Sequence, residues 1–233
     1  MKTASRPVTS PRQQRSVEAR QRILDEALKQ FSMAGFDGVS IRDIAAAVGM
    51  QHGALRYYFA NKEQLWREAV LSMYQRQLEE LQAPQGEDSL PIRERFRRFL
   101  CRYIRYSARH PEHARIILLE SVQGSERLDW AAREVVRAQH QQMKPMMEAL
   151  VREGLLPDVP VHVLIYGLAP LCYGPFVVAP EIRAAHGTDP FDARQVDLHS
   201  EMVCQLVLRQ RAEGPAQAAF QPDQTVLATP GTS

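Results

Sequence analysis

The stretch from Ser40 to Phe59, SIRDIAAAVGMQHGALRYYF, constrains the fold of this chain more than any other. Ser40 followed three residues later by Asp43 is a helix-start pattern of the capping-box kind, with Asp in place of the usual Glu. Ile41, Ile44, Ala45 and Val48 recur at i, i+3, i+4 and i+7, so one face of that helix is apolar and needs covering. Gly49 supplies the left-handed conformation that ends it. A second short helix then follows Met50 and stacks Leu55 and Phe59 on one side. At about 100° per residue its opposite side is centred on Gly53 and Tyr57, flanked by Ala54 and Arg56. Small residues let such a helix enter a groove, and Arg and Tyr reach phosphates or base edges. That is helix-turn-helix chemistry with the second helix as reader. An ordinary helical hairpin shares the bare pattern, so the flanking residues have to decide.

Upstream, Ile23, Leu24, Ala27, Leu28 and Phe31 make the apolar stripe of one amphipathic helix closed by Gly35. Downstream, Asn61-Lys62-Glu63-Gln64 reads as a second capping box, and it opens a helix that turns Leu65, Trp66, Ala69, Val70 and Met73 inward. The combined run carries A-x-x-x-F-x-x-x-G-F, S-x-x-D-I-A, G-x-x-x-G-A-L-x-Y-Y-F and N-K-E-x-L in order. Over roughly residues 17–77 it resembles the DNA-binding domain of the TetR family of bacterial transcriptional regulators. Two positions depart from the family pattern: Arg56 stands where Tyr is usual, and Gln51 where Ser or Thr commonly caps the reading helix. Gln is a poor N-cap. Arg56 keeps a phosphate-capable group and changes what it can reach. Operator sequence therefore does not transfer from relatives.

The candidate DNA-contacting residues are Ser40 and Arg42 on the first helix, then Gln51, His52, Gly53, Ala54, Arg56, Tyr57 and Tyr58 on the second. Lys62 joins them, since it matches the family position that meets phosphate. Residues 1–22 hold Lys2, Arg6, Arg12, Arg15, Arg20 and Arg22 against Glu18 alone, in a chain whose total charge is only +2. A basic segment of that kind suits a polyanion and predicts salt-sensitive affinity. Its Ser, Pro and Gln content predicts a disordered arm over residues 1–16. No apolar segment follows it, so it is not a secretion signal.

Cys101, Cys172 and Cys204 lie far apart without a C-x-x-C spacing and among apolar neighbours, which predicts reduced core thiols in a cytoplasmic protein. His110-Pro111-Glu112-His113 has a spacing that can hold a metal, but Pro111 beside Glu112 fits a helix start better. Neither a glycine-rich phosphate loop nor a nucleophile elbow appears, so no metal, cofactor or catalytic residue is assigned and the chain does not read as an enzyme.

Residues 78–211 read as a larger helical regulatory and dimerisation domain, and 212–233 as a disordered tail. Six arginines between Arg93 and Arg105 crowd one helix, a charge run that suits a solvated or interdomain face. A long helix from about Glu126 to Glu153 should kink at Pro145. The next, about Val161 to Val178, is nearly all apolar. Pro170, Gly174 and Pro175 interrupt it and no positive cluster flanks it, which argues against a membrane span and for burial on every side. With the last helix, which carries Val196, Met202, Val203, Leu206 and Val207, it is the expected dimer interface. The kinked and interrupted helices predict an apolar pocket lined by Met143, Met146, Met147, Cys172, Tyr173 and Phe176, with Tyr103 and Trp130 closing it.

The expected fold is all-α: an N-terminal three-helix helix-turn-helix domain followed by a helical C-terminal ligand-binding and dimerisation domain. The family resemblance implies a homodimer that represses from a palindromic double-stranded DNA operator and is released by a small-molecule effector. Two alternatives stay open, an effector-independent dimeric regulator and a helical adaptor that has lost DNA binding.

Overall fold

Helix formation begins earlier than composition suggests. In a computed structural model that describes residues 10–208, α1 (Pro11–Ala34) starts inside the segment expected to be a disordered arm. The Ser10 hydroxyl accepts from the Gln13 N–H (3.3 Å), and the Gln13 side chain accepts from the Ser10 N–H (3.0 Å). This is a complete capping box, and Pro11 lacks the N–H that a first turn leaves unused. Arg12 and Arg15 are therefore exposed helix positions, which corrects the disordered reading for residues 10–16. Residues 1–9 and the tail from 212 lie outside the described residues.

Helices α2 (Ile41–Ala47), α3 (His52–Tyr58) and α4 (Lys62–Leu81) follow. Every stripe residue expected of α1 and α4 is buried, together with Ile44, Ala45, Leu55 and Phe59. The expected boundary at residue 77 falls within α4, and the core does not stop there. Ile116 of α6 (Pro111–Gln123) and Ala131 of α7 (Glu126–Ala131) belong to the same buried cluster as α1 and α4. Trp66 and Trp130 meet edge-on with ring centres 6.0 Å apart. Trp130 thus sits where α7 meets α4, apart from the other residues of the pocket expected on sequence grounds.

Polar contacts reinforce this junction. Arg76 on α4 reaches Asp25 on α1 (3.1 Å) and Glu112 on α6 (2.9 Å). His110, which joins α5 (Ile92–Arg109) to α6, sets Nε2 3.0 Å from Glu80 and Nδ1 3.3 Å from Glu112. Burial opposes the charge on Glu112, yet the hydrogen bond from His110 and the nearby Arg76 hold its carboxyl below the usual range. His113 packs against Tyr74 and Tyr106, and desolvation pushes its pKa down to about 3. It is a neutral partner of the Tyr106 hydroxyl (3.1 Å).

The remaining helices are α8 (Arg137–Arg152), α9 (Val161–Val177), α10 (Ala179–His186) and α11 (Ala193–Val207). A π-helical turn at Ala132–Val136 interrupts the long helix expected from Glu126, and α8 continues through Pro145. Pro170 and Pro175 on α9 and Pro180 on α10 each deprive a carbonyl four residues earlier of its normal donor, and two of these carbonyls bond to other helices. The Leu171 oxygen, which Pro175 cannot serve, accepts from His199 Nε2 of α11 (2.8 Å). The Phe176 oxygen, which Pro180 cannot serve, accepts from Arg115 of α6 (2.8 Å). The arginines of α5 are tied inside the protein: Arg97 and Arg98 to Glu94, Arg105 to Asp197, and Arg102 by two bonds to the buried Glu87. Helix α9 is not covered on every side. Val163 is 48% and Tyr166 64% exposed, although His140 of α8 meets the Tyr166 ring edge-on (5.4 Å). No single described helix is long and apolar enough to cross a membrane; α9 and α10 would meet that measure only together, and they are bent by 59°.

The shared core predicts joint unfolding. Ile116→Ala should destabilise the protein by roughly 2–5 kcal/mol through its cavity. Its far-ultraviolet circular dichroism and Trp66/Trp130 emission should still fall in one coincident transition. Two separated transitions would mean that the halves fold independently.

Candidate nucleic-acid interface

The turn between α2 and α3 is built from local chemistry. Ser40 Oγ accepts from the Asp43 N–H (3.1 Å) and donates to the Asp43 carboxylate (2.6 Å), which fixes the start of α2. At its end Gly49 adopts φ 69°, its N–H bonds the Ala46 oxygen (3.0 Å), and the Met50 N–H bonds the Ala45 oxygen (2.8 Å). This pair of bonds is a Schellman stop, and only glycine takes the required φ without strain. The chain then turns sharply into α3.

Leu55 and Phe59 pin α3 to the core with no exposure at all. The other side is free: Gln51, Gly53, Ala54, Arg56 and Tyr57 are exposed, and Tyr57 is 84% so. A side chain added at Gly53 would meet nothing within 4 Å, so a groove can come up to the backbone there. Tyr57 and Tyr58 lean edge-to-face (5.4 Å), which steadies the exposed ring. His52 and Tyr58 are partly covered and border this face, while Arg42 is exposed on α2. Neither Arg42 nor Arg56 makes an ion pair among the described residues. Two cations are more engaged than the sequence suggests. Lys62 Nζ lies 4.3 Å over the Phe36 ring, and Arg20 pairs with Glu68 beside Phe59. Asn61 caps α4 by accepting from the Gln64 N–H (2.8 Å), but Gln64 reaches back to Ala60, so that box is offset by one residue.

The predicted pocket residues divide. Met147, Cys172 and Phe176 are buried in the C-terminal core, and Tyr103, Met143 and Met146 pack against them. Tyr173 is partly exposed, and Trp130 lies in the other core. Two concavities mark the surface. One of about 280 Å³ is lined by Phe176, Ile182, Leu198 and His199. The other, about 1020 Å³ and open, lies between α5 and α11 and is lined by Arg97, Cys101, Arg105 and Cys204. Of the predicted residues only Phe176 reaches either one. The thiols were the larger omission: Cys101 and Cys204 stand with Sγ atoms 3.7 Å apart and partly exposed, so only Cys172 is the buried thiol expected of all three. No sequence signal short of a helix-packing register would have paired residues so far apart.

Residues 23–69 match the bacterial regulatory proteins of the tetR family, and residues 68–213 match the YcdC-like protein C-terminal region. The chain belongs to the tetR family of bacterial regulatory proteins. It is 37% identical over 49 residues to IcaR of Staphylococcus epidermidis, a negative transcriptional regulator of a biofilm operon. That alignment spans 21% of this chain and 26% of IcaR, about a quarter of the relative's length. It is also similar to the transcriptional repressor NicS of Pseudomonas putida, 28% identical over 71% of this chain and 79% of NicS. The fold matches the TetR family transcriptional regulator PfmR of Thermus thermophilus with a TM-score of 0.60 at 19% identity, covering 82% of this chain and 99% of that one.

The uncapped start of α3 makes a direct prediction. Gln51 has no side-chain cap bond, so Gln51→Ser should stabilise the domain by about 0.5–1 kcal/mol, read as a raised urea midpoint. An unchanged or lowered midpoint would show that the α3 start is held by something other than its cap.

Proposed function

We propose that this chain is a sequence-specific DNA-binding repressor that holds a palindromic operator as a homodimer and releases it when a small molecule enters the C-terminal bundle. The exposed α3 face carries the reading. Gly53 permits close approach, Arg56 and Tyr57 project, and Leu55 and Phe59 hold the helix rigid from behind. Ser40 and Arg42 at the start of α2, with Gln51 and His52, flank it where phosphates would run. Arg56→Ala and Tyr57→Ala should each weaken operator binding by roughly 1–3 kcal/mol, about five- to 150-fold, because each removes a groove contact. Both side chains are exposed, so the circular dichroism should not change. Unchanged affinity of both variants in fluorescence anisotropy would refute the assignment of α3 as reader.

Dimerisation through α9 and α11 rests on apolar surface that one chain leaves bare. Leu198 (50% exposed), Met202 (42%) and Leu206 (59%) form a stripe at i, i+4 and i+8 on α11, and Val163 and Tyr166 are exposed on α9. Placing a charge in such a patch desolvates it on association. Met202→Glu should therefore yield a monomer by sedimentation, with a folded spectrum and weakened binding to the two-half-site operator. A Met202→Glu dimer of unaltered affinity would place the interface elsewhere.

The effector part of the proposal rests on the cluster of Tyr103, Met143, Met146, Met147, Cys172 and Phe176 between α5, α8 and α9. Methionine side chains repack around ligands of several shapes. A ligand there releases DNA only through a higher affinity for the DNA-incompetent dimer.

A further inference from the structure

Cys101 on α5 and Cys204 on α11 approach to 3.7 Å between sulfurs on the floor of the open groove of about 1020 Å³. The two helices pack directly on each other. A disulfide needs about 2.05 Å between sulfurs, a closure that side-chain rotation can supply when both Cβ atoms already face one another. The groove gives a small polar reagent a way in, and Arg93, Arg97 and Arg105 line it. We propose that Cys101 and Cys204 form a peroxide-reactive dithiol, with Cys101 as the attacking thiolate and Cys204 as the resolving thiol.

The surroundings assign these roles. The Cys204 S–H has two acceptors in reach, the Arg97 carbonyl oxygen at 3.9 Å and Cys101 Sγ at 3.7 Å. The contact from Cys204 favours a thiolate at Cys101; burial works against it, and Arg97 and Arg105 on the same helix add to it against the weaker opposition of Glu94. Together they lower the Cys101 thiol to about 6. Cys204 shifts upward, as the partner that keeps its proton. Asp197 and Glu201 are the acidic groups that α11 brings to the groove, and Asp197 is neutralised by Arg105. Cys172 serves as an internal control, since it is buried and desolvation pushes its thiol up to about 12. Met202 and Leu206 of the dimer stripe also line this groove, but the pair is not part of the stripe itself: at about 3.6 residues per turn Cys204 lies on the far side of α11 from Met202.

The chemistry balances with hydrogen peroxide as oxidant. The Cys101 thiolate attacks one peroxide oxygen, an S–O bond forms, the O–O bond breaks, and the departing hydroxide takes a proton to become water. Cys204 then attacks the sulfenic sulfur, an S–S bond forms, the S–O bond breaks, and a second water leaves with the proton from Cys204. Two thiols are oxidised by two electrons, and one peroxide is reduced to two waters.

The test treats the reduced full-length chain with hydrogen peroxide, blocks remaining thiols with N-ethylmaleimide, and maps peptides by mass spectrometry. The expected product is an intrachain Cys101–Cys204 peptide lighter by two hydrogens, with Cys172 blocked only after denaturation. In Cys204→Ser, dimedone should trap a sulfenic acid at Cys101. In Cys101→Ser, Cys204 should react at least roughly tenfold more slowly, as a protonated thiol does. Both substitutions are near-isosteric at partly exposed positions, and the wild-type map stands without them. A disulfide between chains, loss of Cys172 in step with Cys101, or an unmodified Cys101 would overturn the proposal.

Discussion

The covalent continuity of α4 and the core wrapped around it hold this protein together. The helix begins just after α3, capped by Asn61, packs against α5, and meets α6 through Arg76 with Glu112 and Tyr74 with His113. Along it Leu65, Trp66, Ala69, Val70 and Met73 face α1 on one side, and Trp66 also meets Trp130 of α7. Burying such side chains contributes on the order of 1.5–3 kcal/mol each, far more than the exposed ion pairs around them. A displacement of α6 or α7 therefore cannot leave α4 unmoved, and α4 cannot move without changing how α1 and α3 sit.

Phe36 shows how closely the two halves are tied. It lies just past α1, stacks on Phe31 (5.8 Å), and takes both Lys62 Nζ and the Arg127 guanidinium (3.8 Å) against its ring. Arg127 is itself held by the buried Glu120 (3.3 Å). A cation over an aromatic ring is worth more once desolvated. The chain from Glu120 through Arg127 and Phe36 to Lys62 thus links α6 and α7 to the residue that opens α4. Lys62 is the position expected to meet phosphate, so its ammonium has two competing uses, the Phe36 ring and a nucleic-acid backbone.

The helix-turn-helix was legible because its signals are local. Ser40, Gly49 and Asn61 fix helix ends through bonds that span at most five residues, and the apolar spacing of α1 and α4 fixes their buried sides. The start of α1 is equally local, and composition and capping disagree there: basic and polar content suggests disorder, while Ser10, Pro11 and Gln13 spell a helix start. What escaped the sequence was non-local. The π turn at Ala132–Val136 has no breaker residue, and it arises where Val135 and Val136 pack onto the core shared with α1 and α4. Trp130 looked like a pocket residue because its helix was read as leading straight into Met143; Trp66 claims it instead. The pairing of Cys101 with Cys204 depends on the register between α5 and α11, which no spacing within either helix encodes.

The prolines of α9 and α10 show why this half of the fold resists a purely periodic reading. Hydropathy alone described α9 as a helix to be covered all round. Yet Pro175 and Pro180 each free a carbonyl from the helical ladder, at the exposed Leu171 and the buried Phe176, and leave it open to a donor from another helix. His199 from α11 and Arg115 from α6 supply those donors. Burial lowers the His199 pKa, so Nε2 donates from a neutral ring. The two bonds fasten α9 to α11 on one side and to α6 on the other. α11 presents the bare apolar stripe and α6 belongs to the core beneath the reading helix. The Leu171–His199 and Phe176–Arg115 bonds thus give α11 and α6 a shared hydrogen-bonded neighbour in α9, in addition to packing.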